Sequence, residues 1–249
     1  MNGQSLKLAL LGCFLCLATV GCKDAPGKPK LESEALRPDQ VLDFPTLYRQ
    51  NCAACHGENG KNGAAISLAN PVYLSMVGGD TIQRFTAAGI PGSLMPAFSK
   101  GAGGMLTDRQ IGVLARGMVE TWGRPGATAG VLPPPYASSL AGNSARGQKA
   151  FSTFCARCHG VNGEGVDENK TMQTGSIIDP AYLALVSDQG LRSTIIAGQP
   201  EQGMPDWRSD LTGTGARAMT DQEVTDTVAW MTSHRIATPG QPYHQHPKS

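Results

Sequence analysis

Cys52-Ala53-Ala54-Cys55-His56 and Cys155-Ala156-Arg157-Cys158-His159 are two copies of one pattern, C-x-x-C-H, and the rest of the chain is read outward from them. A zinc ribbon places its second cysteine pair roughly 15–20 residues after the first. Here Cys55 and Cys155 stand 100 positions apart. A thioredoxin-like redox site carries a single C-x-x-C beside a strand–helix–strand pattern; this chain has two copies, each followed by histidine, and no such pattern. The chemistry that needs this order of residues is covalent haem attachment. Cys52 and Cys55 add to the two porphyrin vinyl groups as thioethers, and Cys155 and Cys158 do the same for a second porphyrin. His56 and His159 are then placed to ligate each iron from one face. The expected cofactors are two haem c groups.

The surroundings of the two strings repeat as well. Tyr48 and Phe151 each put an aromatic four residues before the first haem cysteine. Further on, Asn70-Pro71-Val72-Tyr73-Leu74 matches Asp179-Pro180-Ala181-Tyr182-Leu183, and Gly89 matches Gly198. Met95-Pro96-Ala97-Phe98 then matches Met204-Pro205-Asp206-Trp207, and Thr107-Asp108 matches Thr220-Asp221. The spacing between copies grows from 103 to 109 to 113 positions, so the second copy carries insertions of six and four residues. One unit has been duplicated.

Each unit reads as helical. A first helix spans about Pro45 to Asn51 and Gly147 to Phe154, and runs into the haem string. Asn70-Pro71 and Asp179-Pro180 start helices, with an N-cap and then proline at the first helical position. Short helices follow over about Thr81–Ala88 and Leu191–Ala197, each ending near glycine. Thr107-x-x-Gln110 and Thr220-x-x-Glu223 are capping boxes that open the last helices. Ile111, Leu114, Ala115, Met118 and Trp122 then share one helical face, as do Val224, Val228 and Met231. Nothing alternates as a strand would, so the fold class is all-α. The division expected is a leader over 1–21, a tether over 22–40, domains over 41–123 and 143–238, a Pro/Gly/Ala linker over 124–142 with Pro133-Pro134-Pro135, and a polar tail over 239–249.

The second axial ligand points to Met95 and Met204. They hold equivalent places in the repeat, and each precedes proline in a loop after a short helix. A thioether favours ferrous iron and raises the potential. Met76, Met118 and Met231 read as core packing. With these pieces in place, each unit resembles a class I cytochrome c domain, and the mature chain resembles a dihaem cytochrome c, broadly of the cytochrome c4 type. The resemblance implies two tandem class I domains, each wrapped around covalent haem, in which the first helix crosses the last at Tyr48 and Phe151. A small residue commonly precedes that aromatic by four; Gly147 fits and Phe44 departs. Arg84 and Arg192 are candidates for pairing with haem propionates, and Trp207 for walling the haem.

Composition narrows the function. The chain has 249 residues with 21 Lys+Arg against 20 Asp+Glu, so losing Lys7 with the leader leaves 20 of each. No basic stripe suggests nucleic acid. Of seven cysteines four lie in the haem strings, and Cys13, Cys16 and Cys22 lie at the N-terminus. That leaves none in the body for a thiolate haem ligand. Leu8 to Val20 is apolar but short for crossing a bilayer, and Thr19-Val20-Gly21-Cys22 resembles a bacterial lipobox, which implies lipidation at Cys22. The expectation is an exported, lipid-anchored electron carrier at the periplasmic face of a bacterial membrane, and not an enzyme. It would act as a shuttle or as a subunit of an electron-transfer complex. Its expected partners are redox proteins: a quinol-oxidising cytochrome complex, a terminal oxidase or a dehydrogenase. The alternative is a dihaem redox enzyme of peroxidase type, which needs an open iron, or the cytochrome subunit of a periplasmic dehydrogenase.

Overall fold

The computed structural model describes residues 36–165, 174–209, 211 and 216–236. The leader, Cys13, Cys16, Cys22, most of the tether and the polar tail lie outside the described residues, as do 166–173, 210 and 212–215. The chain divides into a unit of Met1–Gln40 and a unit of Val41–Ser249. Within the described part of the first unit there is one 3-10 turn, Pro38–Gln40. Both copies of the repeat belong to the second unit, and buried residues of both contribute to one continuous apolar cluster.

The architecture is all-α. Among the described residues the extended pairings are isolated bridges, Ser99 with Leu106 and Gln199 with Met204. The first copy folds as α1 (Phe44–Asn51), α2 (Ala53–His56), α3 (Pro71–Val77), α4 (Gly79–Ala88) and α5 (Asp108–Trp122). The second folds as α6 (Ser144–Phe154), α7 (Ala156–His159), α8 (Pro180–Leu185), α9 (Asp188–Ala197) and α10 (Asp221–Thr232). Both capping boxes form, with the side chains of Gln110 and Glu223 reaching back to the backbone of Thr107 and Thr220. Helix α9 begins three residues before the expected start at Leu191, because Ser187 Oγ accepts from Gly190 N at 3.1 Å and caps an additional turn. Helix α6 likewise starts at Ser144, where Asn143 Oδ1 accepts from Arg146 N at 2.9 Å.

The helix crossing is present in both copies, built with opposite partners. In the second copy a Cβ added at Gly147 would overlap the Asp226 carbonyl and lie 2.8 Å from Trp230 Cβ, so the small residue is on the first helix. In the first copy Phe44 takes the place of Gly147, and Gly117 on α5 takes the place of Trp230. A Cβ at Gly117 would overlap the Phe44 ring. The large and small residues have changed helices, and the close approach survives. Phe44 and Tyr48 then stack edgewise on Trp122, at 5.5 and 4.9 Å between ring centroids, where the second copy has Phe151 on Trp230 at 4.3 Å.

The linker is packed against both copies. The Tyr136 ring lies 5.4 Å from Phe85 of α4, and its carbonyl accepts from Gln189 Nε2 of α9 at 2.7 Å. Arg192 is buried and donates to the Pro135 and Tyr136 carbonyls, to Thr225 Oγ1 and to the Asp221 carboxylate. This corrects the expectation for Arg192, whose guanidinium is committed to anchoring the end of the triproline. Arg84 is exposed at its helix surface, donating to Thr81 Oγ1 at 3.0 Å. Trp207 packs in the core with Arg208 over its ring at 5.1 Å and is not among the residues lining the cavity described below.

Candidate functional site

Each C-x-x-C-H string is one turn of helix following the first helix of its copy. The turn closes with His56 N donating to Cys52 O at 3.0 Å, and His159 N to Cys155 O at 3.0 Å. Because the string is one turn long, the first cysteine and the histidine lie four residues apart, on one side. Burial pushes the Cys52 and Cys155 thiols up to about 12, so neither is a thiolate at neutral pH. A redox C-x-x-C needs a depressed thiol pKa, so this environment suits thioether attachment and not thiol exchange. The four described cysteines form no disulfide. Among the described residues no three of His, Cys, Asp and Glu gather as a zinc site requires.

Burial lowers the pKa of both histidines, which keeps the rings neutral, the form that binds a metal. Their outer nitrogens differ. His56 Nδ1 lies 2.8 Å from the Ile66 carbonyl, a bond that fixes the tautomer and leaves Nε2 as the free lone pair. His159 Nδ1 is buried with no hydrogen-bond partner among the described residues.

The methionine loops are set by the helices before them. Helix α4 ends on Gly89 at φ +71° and α9 on Gly198 at φ +67°, both in the left-handed region open to glycine. The space is equally restrictive. A Cβ on Gly89 would come within 2.8 Å of Met95 O, and one on Gly198 within 2.6 Å of Pro205 C. The Met-Pro backbone therefore folds directly back on the helix end. In the second copy the loop is closed by a pair of bonds, Gln199 N to Met204 O at 3.0 Å and Met204 N to Gln199 O at 3.1 Å. In the first copy Ile90 N donates to Met95 O at 3.1 Å.

In the second copy these parts meet. A cavity of about 420 Å³ is lined by Cys155, Cys158, His159 and Met204, with walls that include Phe151 and Leu191. Two thiols, an imidazole and a thioether on the lining of one cavity with apolar walls are the donor set a covalent haem requires, and the residues present fit that group. Met76 and Met118 pack in the core, as expected; Met231 is buried and lines the cavity as well. Sequence reasoning missed other lining residues, Met219 and Thr227 among them. Thr227 was detectable as a hydroxyl in the apolar stripe of Val224, Val228 and Met231. Met219 carried no pattern.

Comparison with known proteins agrees with this geometry. Residues 144–235 match the family described as cytochrome c, and residues 39–116 match the family described as cytochrome c oxidase, cbb3-type, subunit III. The cbb3-type cytochrome c oxidase subunit FixP of Bradyrhizobium diazoefficiens is 26% identical over 181 residues, covering 70% of this chain and 57% of that protein. Subunit FixPc of Rhizobium leguminosarum bv. viciae is 26% identical over 196 residues, covering 75% of this chain and 61% of that protein. Subunit CcoP of an Azospirillum species is 30% identical over 133 residues, covering 48% of this chain and 39% of that protein. The chain thus spans less than two thirds of the length of these relatives. It carries two cytochrome c domains in tandem and two covalently bound haem c groups: it is a dihaem cytochrome c. Among the described residues no helix is long and apolar enough to cross a membrane.

Proposed function

We propose that this dihaem cytochrome c carries single electrons as the cytochrome subunit of, or the immediate donor to, a membrane terminal oxidase, and that it has no catalytic iron of its own. When bound, each haem supplies a one-electron Fe(II)/Fe(III) couple. The protein's residues attach, ligate and enclose it. Cys52, Cys55, Cys155 and Cys158 would form the thioethers, and His56 with Met95 and His159 with Met204 would hold the two irons. The observation that carries this reading is the placement of His159 and Met204 on the lining of one cavity, with the Met-Pro backbone folded on Gly198. Met95 has the same loop position against Gly89. Held in this way by protein donors, each iron would exchange electrons and leave no position for a substrate.

The names of the relatives favour a cbb3-type oxidase as the partner over a quinol-oxidising complex or a dehydrogenase. The tandem arrangement is c4-like, with domains over 41–123 and 143–238. Cys22 is lipidated after removal of 1–21, which places the domains on the periplasmic face, held by the tether over 22–40.

Carbon monoxide added to the fully reduced protein tests the central claim. Both haems should refuse it, and the oxidised protein should show the Fe(III)–S(Met) charge-transfer band. Ready CO binding by either haem overturns the reading and favours a peroxidase-like enzyme. Copurification with an oxidase from solubilised membranes tests the partner, and release of the protein by removal of Cys22 tests the anchor.

A further inference from the structure

Asn70 does two jobs; among the described residues its counterpart in the second copy does one. As the N-cap of α3, its Oδ1 accepts from Val72 N at 2.9 Å and from Tyr73 N at 3.2 Å. Its Nδ2 points the other way and donates to Ala197 O at 2.9 Å and Gly198 O at 3.2 Å, in the second domain. Those are the last residue and the C-cap of α9, where helix carbonyls have no partner within the helix. The side chain is only 2% exposed. Asp179, at the equivalent position, caps α8 with two bonds of 2.9 Å, is exposed, and has no N–H to offer. An aspartate caps a helix as well as an asparagine does. The cap therefore does not require an amide at position 70. The two carbonyls across the domain boundary do.

The carbonyls that Asn70 holds begin the loop that carries Met204. Gly198 leads to Gln199, which is bonded through both backbone groups to Met204. Ser67 Oγ reaches the same loop, donating to Glu201 Oε1 at 3.0 Å. On its other side the segment touches the first site, where the Ile66 carbonyl lies against His56 Nδ1. Residues 66–70 thus contact the histidine of one haem site and the methionine loop of the other. We propose that this segment is a strap between the two sites, with Asn70 as a positioning residue that holds the Met204 loop at ligating height. The proposal rests on Met204 being an axial ligand.

Asn70→Asp keeps the cap and replaces the donors with an acceptor facing two carbonyls. In the full dihaem protein this variant should lose charge-transfer intensity belonging to the second haem and lower that haem's potential. The drop is ~59 mV for each tenfold loss of ferrous preference in a one-electron couple. The first haem should be unchanged. Asn70→Ser, a good cap without charge that is too short to bridge both carbonyls, should act in the same direction and serves if the aspartate variant fails to fold. Met204→Ala assigns the second haem's share of the band. If Met204→Ala leaves the band and both potentials intact, the ligand assignment falls. If Met204→Ala removes its share but both Asn70 variants match the parent, or shift the two haems equally, the strap is overturned.

Discussion

The exchange of large and small residues at the two helix crossings makes Gly117→Ala the sharpest test of the fold. In the interior of an exposed helix this substitution gains about 1 kcal/mol from helix propensity. Here the new methyl would overlap the Phe44 ring and lie 2.9 Å from Phe44 Cβ, on a backbone pinned by Tyr48 and Trp122. Overpacking of this kind costs about 1–3 kcal/mol, and an aromatic ring wedged between two neighbours has little room to yield, so the upper figure applies. The net effect is a loss of about 2 kcal/mol, or roughly 4–8 °C in Tm for a unit of this size. Phe44→Ala should remove the obstruction. In that background Gly117→Ala should become stabilising by about 1 kcal/mol, so the double-mutant cycle gives a coupling of about 3 kcal/mol. Because α1 ends one residue before Cys52, the clash should also weaken the first haem's methionine ligation. The assay is reversible urea or thermal unfolding of the haem-loaded protein followed by far-ultraviolet circular dichroism, with the charge-transfer band recorded in parallel. A Gly117→Ala protein as stable as the parent, or a coupling below about 0.5 kcal/mol, would refute the crossing and with it the placement of α1 on α5.

Gly89→Ala forces a side chain to φ +71° and against Met95 O, at a cost of about 1–2 kcal/mol for the left-handed conformation alone. It should remove the first haem's share of the charge-transfer band; an unchanged spectrum would show that the Gly89 contact does not set Met95. Arg192→Gln should destabilise the second domain by about 1–3 kcal/mol, since it takes the guanidinium from the Pro135 carbonyl and leaves Asp221 with Ser138 Oγ as its remaining side-chain donor. It should leave both haem potentials unaltered, whereas a propionate partner would shift one. Glu223 is held near pKa 2, chiefly by the Arg217 guanidinium that donates to it. A depressed carboxyl stabilises the fold above its unfolded value of 4.5, and that stabilisation is lost as pH falls from there toward 2. Glu223→Gln, which copies Gln110 of the first copy, should retain the capping box and flatten acid unfolding in this window, read as Tm against pH.

The parts of the fold written locally were legible in the sequence. The haem strings, the N-caps at Asn70 and Asp179, the two capping boxes and the buried stripe of α5 depend on residues within one or two turns of each other. The methionine loops were legible through the repeat. What the sequence concealed depends on contacts between distant segments. Phe44 read as a departure because its compensation, Gly117, lies on another helix. Arg192 read as a candidate propionate partner because the carbonyls it serves belong to the linker, and Trp207 as a candidate haem wall because its neighbours come from the core. Asn70 read as a cap, which it is; nothing near it announces the second pair of partners.

The two domains are therefore not interchangeable, although they descend from one unit. A symmetric pairing would use the same patch on both copies, with Asp179 facing the Gly89 end of α4 as Asn70 faces the Gly198 end of α9. Among the described residues Asp179 bonds only its own helix. The contact is heterologous: the cap of α3 in the first copy meets the methionine loop of the second. A heterologous contact gives the two haem sites different surroundings from nearly identical parts. His56 has a carbonyl partner on its outer nitrogen and His159 has none among the described residues. A hydrogen bond to that nitrogen makes the imidazole a stronger donor to iron. On the His56 bond we expect the first haem to have the lower potential of the two. Spectroelectrochemical titration, with Met95→Ala and Met204→Ala identifying each wave, should assign the lower potential to the first haem. The reverse order would mean that solvent exposure or charge outweighs the histidine bond.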